Sequence, residues 1–254
     1  MTHWLNGALA AGPAPVDPAL LVGAGAYETL RVLRATPFAA RRHLARLAAA
    51  AGRLGLAPPA GLRDAMAAVV AASGFDDGRM RITLTAATAL VTVAPRTPWP
   101  PVEDVVIVPW PRNERGALAG VKSISYGENV VAKAYAAERG AGEAVFGNTA
   151  GRLCEGTASN VFLVAGGRLV TPPLSAGCLA GVTRELLLEL LGAEEADVPL
   201  AALASAEEAF LSSSTRNVHP IRAVDGVALP AAPGPVTAAA AAAFAGLVAR
   251  DLDP

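Results

Sequence analysis

The sequence predicts an α+β protein with a small amino-terminal domain at residues 1–110 and a larger carboxy-terminal domain at residues 121–254. Candidate strands and helices are mixed along the chain, without the strict alternation of a doubly wound sheet. Residues 111–120, PRNERGALAG, have no apolar periodicity and therefore predict a connector. A chain of 254 residues is long enough for two domains that each bury a core.

The elements of the small domain follow from residue spacing. The segment AYETLRVLR is rich in aromatic and branched residues and predicts a strand. Leu44, Leu47, Ala51 and Leu54 recur at helical spacing, which leaves His43, Arg46 and Arg53 on another face of the same helix. The predicted elements of this domain are strands at 26–34, 36–38, 79–85 and 89–95 and helices at 41–56 and 61–73.

In the large domain, a helix is predicted to end at Gly140, because glycine adopts the left-handed backbone that closes helices. Two apolar runs around Gly166-Gly167 predict a hairpin. The predicted elements of this domain are helices at 126–140, 181–192 and 235–252 and strands at 143–148, 159–165, 168–173 and 206–214.

Composition excludes several classes of partner. A net charge of −1 provides no basic surface for nucleic acid or an anionic membrane. No run of 18 apolar residues predicts a membrane span, and the first residues show no basic leader. Cys154 and Cys178 match no metal-ligand spacing and cannot build a disulfide framework, so no metal is predicted and a reducing cytoplasm is expected.

Only two of the 21 basic side chains are lysines, Lys122 and Lys133. Arginine stays protonated in proteins, whereas a lysine can lose its proton and condense with an aldehyde as a Schiff base. Amine chemistry at one of the two lysines is one interpretation, and a base-composition bias that spared two lysines is the other. Lys133 lies within a predicted helix among small residues, where a solvated side chain is expected, so position favours Lys122.

Five segments, taken in order, carry a resemblance to a known family: RHLARL (42–47), KSISY (122–126), GENVVAK (127–133), EGTASN (155–160) and TPPLSAGCLAGVTR (171–184). They resemble the fold-type IV pyridoxal-phosphate enzymes, and the resemblance extends from YETLRV to SSSTRNVHPI. It implies a D-amino acid aminotransferase-like fold of two domains, with pyridoxal 5′-phosphate at their interface. It also implies a homodimer, in which the partner's small domain completes each active site.

The resemblance implies a role for each residue around the cofactor ring. Lys122 would hold the cofactor covalently and shuttle the proton between the substrate Cα and C4′ of the cofactor. Glu155 is similar to the acidic partner of the pyridine nitrogen, although an ordinary turn carboxylate also fits the segment CEGT. Tyr126 would bind the phenolic oxygen of the cofactor, with a core tyrosine as the alternative.

The cofactor phosphate needs hydrogen-bond donors. Arg46 looks like the family's phosphate arginine, with a surface arginine as the alternative reading. The first residues of a predicted helix offer free N–H groups that bind phosphate well. Two serines in a turn would add donors from the other side, although serine-rich turns without a ligand are common. The residues predicted to bind the phosphate, besides Arg46, are Gly181, Val182, Thr183, Ser213 and Ser214.

The segment expected to hold a substrate carboxylate departs from the family pattern. D-Amino acid transaminases carry an arginine and a histidine on a loop where this chain has TAATAL (85–90), which is shorter and uncharged. Arg34 and Arg96, at strand ends, are therefore predicted to bind the carboxylate. The alternatives are Arg31, Arg79 and Arg81 on strand faces, and Tyr27 and Thr29 are predicted to line the substrate pocket. Arg216 and His219, in STRNVHP, flank the turn expected to shape the pocket entrance, and His219 is given no role.

Function follows from the same segments. Tyr27-Glu28-Thr29 replaces the FEG of branched-chain enzymes, which favours the D-amino acid and lyase branches. The leading hypothesis is a transaminase that moves an amino group from D-amino acids, and also from primary (R)-amines, to a 2-oxo acid. Its alternatives are a 4-amino-4-deoxychorismate lyase, a branched-chain-type aminotransferase and a cofactor-binding protein without catalysis.

Overall fold

A computed structural model describes residues 2–11 and 17–254, which form two compact units. The first unit comprises Met1–Pro98, Val121–Tyr126 and Val248–Pro254, and the second comprises Trp99–Gly120 and Gly127–Leu247. The boundary therefore follows Pro98 instead of residue 110, because the strand at residues 103–107 belongs to the sheet of the second unit. Residues 121–126, predicted in the large domain, belong to the first unit.

The first unit is built on a six-stranded antiparallel sheet with the strand order β2-β1-β6-β5-β3-β4. Its strands are β1 (Thr2–Leu5), β2 (Ala8–Ala11), β3 (Ala26–Leu33), β4 (Thr36–Pro37), β5 (Asp77–Leu84) and β6 (Ala89–Ala94). Its helices are α1 (Pro18–Leu21), α2 (Ala40–Arg53) and α3 (Leu62–Ser73). The predicted strands and helices of this part of the chain are thus all present, with ends shifted by a few residues.

The two faces of this sheet have different chemistry, because successive side chains of a strand point to opposite sides. Leu30 and Val32 of β3 are buried in one cluster with apolar residues of α2 and α3, which identifies the core face. Tyr27 and Thr29 lie on the other face, and Thr29 pairs in register with Arg81 of β5. That face is therefore polar and aromatic.

The second unit contains a nine-stranded mixed sheet, ordered β12-β11-β10-β13-β14-β7-β8-β9, with β15 paired to β14. Its strands are β7 (Glu103–Ile107), β8 (Glu143–Gly147), β9 (Leu153–Gly156), β10 (Asn160–Ala165), β11 (Arg168–Thr171), β12 (Glu194–Glu195), β13 (Glu208–Ser213), β14 (Asn217–Val224) and β15 (Val227–Ala228). Its helices are α4 (Gly127–Ala137), α5 (Val182–Leu191) and α6 (Pro235–Arg250).

One edge of the second sheet collects the ends of several strands. The neighbouring strands β14, β7 and β8 are parallel, so they begin on the same side of the sheet. β9 and β13 run antiparallel to their neighbours and end on that side, and β10 begins there. Glu155, Asn160 and Ser213 are consequently brought to one edge, which we call the β9–β13 edge.

Local sequence signals account for the main turns of this unit. The hairpin predicted at Gly166-Gly167 joins β10 to β11, and both glycines have positive φ angles, 57° and 71°, as such two-residue turns require. Gly140, with φ of 71°, follows α4 as predicted.

Within residues 2–11 and 17–254, no helix has the length and apolar character needed to cross a membrane.

Candidate active site

Main-chain hydrogen bonds fix Lys122 at the start of β3. The N–H of Tyr27 donates to the Lys122 carbonyl at 3.0 Å, and the N–H of Ile124 donates to the Gly25 carbonyl at 2.9 Å. Gly25 permits this approach, since a Cβ there would lie 2.9 Å from Cδ1 of Ile124, as well as 2.5 Å from the carbonyl oxygen of Leu84. The backbone that carries Lys122 is therefore held against the sheet of the first unit.

The Lys122 side chain lies over an aromatic ring. Its Nζ is 4.4 Å from the centre of the Tyr27 ring, and Cζ of Arg81 is 4.0 Å from the same centre. Tyr126 meets Tyr27 edge to face, with 5.9 Å between ring centres. Burial, reinforced by Tyr126, raises the pKa of Tyr27, so this phenol is protonated at neutral pH. The first unit thus brings together an amine, two phenols and a guanidinium.

Lys133 has a different environment. It lies on the exposed side of α4 in the second unit, where its Nζ is 5.7 Å from the centre of the Trp99 ring. An exposed cation over an aromatic ring contributes modestly to stability and serves no evident chemistry. Of the two lysines, only Lys122 has the half-buried aromatic surroundings expected of a reactive amine.

Arg46 is paired with a buried carboxylate. Its Nε donates to Oε1 of Glu28 at 2.8 Å and its Nη2 donates to Oε2 at 2.7 Å. Nδ1 of His43 lies 2.7 Å from the same Oε2, and because a carboxylate only accepts, Nδ1 carries the proton. The helix face predicted to be polar therefore turns toward β3, where Glu28 fixes the plane of the guanidinium. Phosphate binding by Arg46 stays a prediction.

Glu28 is fully buried, on the opposite face of β3 from Tyr27. Burial alone raises the pKa of a carboxyl group, but the adjacent Arg46 guanidinium outweighs it and lowers the pKa of Glu28 to about 2. Burial lowers the pKa of His43, so its ring is neutral at pH 7. The cluster therefore consists of one fork-shaped ion pair and one neutral histidine.

Glu155 lies on β9, at the β9–β13 edge of the second unit, and is 9% exposed. Its Oε2 accepts the N–H of Leu179 at 2.8 Å, and Nη1 of Arg112 is 3.5 Å from its Oε1. Arg112 is in turn held by Oδ1 of Asn129 at 2.5 Å and stacks on the Phe146 ring at 4.1 Å. The carboxylate is thereby oriented from two sides as a hydrogen-bond acceptor.

The first residues of α5 lie near the same edge. Gly181 precedes the helix without a side-chain cap, and a Cβ at Gly181 would lie 2.0 Å from Oδ1 of Asn160, so glycine is required. Nδ2 of Asn160 donates to the Leu179 carbonyl at 2.8 Å, which holds the chain before the helix. The main-chain N–H groups of Val182 and Thr183 at this helix start are suited to an anion.

Ser213 ends β13 at this edge. Its Oγ accepts the N–H of Arg216 at 3.3 Å, which closes the turn that also contains Ser214. The hydroxyl of the preceding Ser212 is buried and finds no hydrogen-bond partner among the described residues. Buried hydroxyls normally form hydrogen bonds, so the Ser212 hydroxyl is an additional potential donor near this edge.

Arg34 and Arg96, predicted to bind a substrate carboxylate, lie at the other end of the first sheet and have other partners. Seven residues of strand, roughly 23 Å, separate Tyr27 from Arg34. Arg34 donates to the main-chain carbonyls of Val248 and Ala249, at 2.8 and 3.4 Å.

Arg96, together with Arg31, pairs with Asp77. The chain's own geometry thus disfavours Arg31, Arg34 and Arg96 as carboxylate ligands and leaves Arg81 beside Tyr27. Thr29, the register partner of Arg81, is half-buried on the same face, as the predicted pocket lining requires.

Sequence reasoning gave no role to Arg112 and Asn160. Arg112 belongs to a segment without periodicity, where an arginine ordinarily faces water, and only its bridge to Asn148 brings it beside Glu155. Asn160 had a sequence signal, because it ends the EGTASN segment. The contact that Asn160 makes is nevertheless structural, because its side-chain amide donates to the main chain of the turn before α5.

The chain is similar to known aminotransferases. A family model described as amino-transferase class IV matches residues 25–224. A putative branched-chain-amino-acid aminotransferase of Methanocaldococcus jannaschii is 28% identical, with 83% of this chain and 82% of the relative covered. A D-alanine aminotransferase of Listeria monocytogenes is also 28% identical, with 85% and 84% covered. A solved fold IV-transaminase of Curtobacterium pusillum, CpuTA1, is 30% identical with a TM-score of 0.84, over 96% and 91% of the two chains.

The Glu28–Arg46 pair should make the first unit sensitive to acid. A carboxyl group whose pKa is lowered by folding contributes stability above its unfolded pKa, and this contribution is lost as the pH falls toward the folded value. In wild type we expect roughly 3 kcal/mol to be lost between pH about 4.5 and about 2. Glu28→Gln should lack this contribution. Urea unfolding at several pH values measures the difference.

Glu138→Gln is the matched control, because Glu138 is 75% exposed on its side chain and should leave the profile unchanged. The difference in the free energy of unfolding between wild type and Glu28→Gln should be largest at pH 7 and should become smaller toward pH 2. A gap that stays constant over this range would show that the lowered pKa of Glu28 has been misassigned.

Proposed function

Because the chain belongs to the class IV aminotransferase family, we propose that it transfers an amino group from D-amino acids, and also from primary (R)-amines, to a 2-oxo acid. The observation that carries the proposal is the group formed by Lys122, Tyr27 and Arg81, which offers one amine and one guanidinium around one aromatic ring. The short uncharged loop between β5 and β6 supports the inclusion of amines.

Class IV aminotransferases depend on pyridoxal 5′-phosphate, and the chemistry of the residues present fits this group. The cofactor requires an amine for its aldehyde, an acceptor for its ring nitrogen and donors for its phosphate. Lys122 offers the amine, and the Glu155 carboxylate, held as an acceptor, suits the ring nitrogen. The uncapped start of α5 suits the phosphate.

When bound, pyridoxal 5′-phosphate supplies an aldehyde for amine exchange and a ring that withdraws electrons from the substrate Cα. We assign to Lys122 the covalent attachment and, after its release by substrate, the transfer of a proton between the substrate Cα and C4′ of the cofactor. Glu155 would accept a hydrogen bond from the N–H of the ring and so keep that nitrogen protonated. Tyr126 would donate a hydrogen bond to the phenolic oxygen.

The phosphate is assigned to several hydrogen-bond donors. Glu28 orients Arg46, so the guanidinium is held in a fixed plane for contact with the phosphate. At the start of α5 the assigned residues are Gly181, Val182 and Thr183, with the N–H groups of Val182 and Thr183 as donors, since the Gly181 N–H donates to the Leu179 carbonyl at 2.8 Å. In the turn after β13 the assigned residues are Ser213 and Ser214. A phosphate near neutral pH carries close to two negative charges, which favours a helix start together with an arginine.

The substrate carboxylate is assigned to Arg81, with Tyr27 and Thr29 beside it. The β5–β6 loop, residues 85–88, contains no charged side chain and is held locally, since the Thr88 N–H donates to Oγ1 of Thr85 at 2.9 Å. It therefore provides no second cation for a carboxylate. An (R)-amine loses only the Arg81 contact relative to an amino acid, which is the physical basis for proposing both donors.

Lys122 and Lys133 provide a matched test of the amine. Borohydride reduction of the holoenzyme, followed by peptide mapping, should find the pyridoxyl group on Lys122. Lys122→Ala should lower transamination by about two to four orders of magnitude, because it removes the proton carrier. Lys133→Ala should retain wild-type rates. A pyridoxyl group on Lys133 would refute the assignment.

Substrate class is tested by supplying D-alanine, L-leucine or (R)-1-phenylethylamine with 2-oxoglutarate and measuring glutamate. We expect turnover of the first and third. Arg81→Met should raise KM for D-alanine about ten- to hundredfold, as expected for the loss of a charged hydrogen bond, and should leave KM for the amine unchanged. Arg63→Met is the control and should match wild type, because Arg63 lies on α3 and its side chain is 59% exposed.

The remaining outcomes separate the alternatives. Preferred turnover of L-leucine would favour a branched-chain-type enzyme, and pyruvate release from 4-amino-4-deoxychorismate would favour the lyase. If KM for D-alanine rises in Arg34→Met or Arg96→Met but not in Arg81→Met, the arginines at the strand ends bind the carboxylate instead of Arg81.

We also propose a homodimer in the cytoplasm. Leu21 and Val22 of the first unit are each 76% exposed, an arrangement that favours burial in an assembly. Cys154 and Cys178 are free thiols, which suits a reducing compartment. Sedimentation velocity at micromolar concentration should give twice the 25.6 kDa chain mass, and Leu21→Asp should shift it toward monomer. A fully active monomer would contradict the dimer.

A further inference from the structure

A cluster of charged side chains lies under the β9–β13 edge without a part in the chemistry described above. We call it the Arg216 cluster, formed by Arg216, Glu103, Glu143 and His219. The side chains of Arg216 and Glu143 are 1% and 0% exposed. Burying two carboxylates and a guanidinium costs free energy unless each group is paired and hydrogen-bonded in good geometry. A role that offsets this cost is therefore expected for the cluster.

Arg216 is the centre of the cluster. Its Nη1 donates to Oε2 of Glu103 at 2.9 Å, and its Nη2 is 3.3 Å from Oε2 of Glu143. Trp99 covers the guanidinium, with Cζ 3.7 Å from the ring centre. The guanidinium is therefore enclosed by two carboxylates and one aromatic ring.

The hydrogen-bond pattern fixes the state of His219. Its Nε2 lies 2.8 Å from the Pro100 carbonyl, which only accepts, so Nε2 carries the proton. Its Nδ1 then accepts from Nη1 of Arg216 at 2.7 Å. Burial and the adjacent Arg216 lower the pKa of His219, in agreement with a neutral ring. His219 thus serves Arg216 as an acceptor.

Glu143 connects the cluster to the turn after Glu155. It accepts the N–H of Thr157 at 3.0 Å, the Thr157 hydroxyl, and the Ser159 hydroxyl at 3.3 Å. A Cβ on Gly156, between Glu155 and Thr157, would lie 2.5 Å from Oγ of Ser159, so this hydroxyl, which bonds Glu143, would have to move. The turn after Glu155 is therefore folded tightly around the Glu143 carboxylate.

Arg216 itself belongs to the second turn. Its main-chain N–H donates to Oγ of Ser213 at 3.3 Å, while its side chain binds Glu143. One residue thus belongs to the turn after Ser213 and contacts the carboxylate that organises the turn after Glu155. The ion pair between Arg216 and Glu143 is a direct link between these two turns.

We propose that Arg216 is a positioning residue, which fixes the turn after Ser213 and the turn after Glu155 in one arrangement through Glu143. The inference rests on the proposed function, in which these turns contribute donors to the phosphate and an acceptor to the ring nitrogen of one cofactor. Arg216 touches neither the cofactor nor the substrate in this assignment. Its effect is to keep the two contacts at the separation that the cofactor requires.

The test is binding by the apo-protein of 4′-deoxypyridoxine 5′-phosphate, which has the ring nitrogen and phosphate but no aldehyde for Lys122. Arg216→Met should weaken binding about ten- to hundredfold. Arg222→Met is the matched control on β14, the strand that follows Arg216, because Arg222 pairs with Asp104 and its side chain is 61% exposed. It should bind like wild type. Circular dichroism at the temperature of the titration establishes that each variant is folded.

Glu143→Gln keeps an acceptor for Thr157 and removes the ion pair, so it tests the link if Arg216→Met does not fold. It should weaken binding to a similar extent, and adding Arg216→Met to it should cause little further loss. Folded variants with lowered thermal midpoints but unchanged affinity would overturn the positioning role. Failure of the wild-type protein to bind either this analogue or pyridoxal 5′-phosphate would instead refute the proposed function.

Discussion

The pairing of residues 121–126 with the start of β3 is the constraint on which the position of the Lys122 amine depends. Two main-chain hydrogen bonds and the close approach at Gly25 hold the Lys122 backbone in place. The amine is then directed by side chains that follow from strand alternation, with Tyr27 on its face and Glu28 on the other. A flexible connection at this point would leave a lysine with four rotatable bonds and no defined reaction geometry.

Both units compensate buried charge in the same way, through an ion pair between a carboxylate and an arginine. Glu28 with Arg46, and Glu143 with Arg216, each place a carboxylate against a planar guanidinium. Arginine suits this purpose because its donors form a rigid fork and it stays charged, whereas lysine is a mobile point charge. The described ion pairs use arginine, while both lysines lie over aromatic rings. The two lysines thus differ from the arginines in their surroundings, and the proposed function gives Lys122 the reactive amine.

Much of the fold could be predicted from the chain. Periodicity located α2, α3 and α5, and the glycine pair at 166–167 located a hairpin, because these features depend on neighbours within a few residues. The domain boundary at residue 110 was displaced because β7 pairs with β8 and β14, which lie far along the chain. In the candidate site, Lys122, Glu155 and the start of α5 stand out by residue type and local motif. Carboxylate binding by Arg34 and Arg96 stays a prediction, and the structure pairs them with Val248, Ala249 and Asp77.

The sequence by itself determined which chemical groups are available: one lysine in an exceptional setting, an acidic residue in EGTASN, a glycine that begins a helix, and membership of a family through segments in a fixed order. Tertiary structure alone decided which groups meet. Arg112 reaches Glu155, Arg81 reaches Tyr27, and Arg216 reaches Glu143 across 73 residues of chain. The physical reason is that residue types and turns are local properties, whereas the partner of a long side chain depends on strand register, which distant segments determine together.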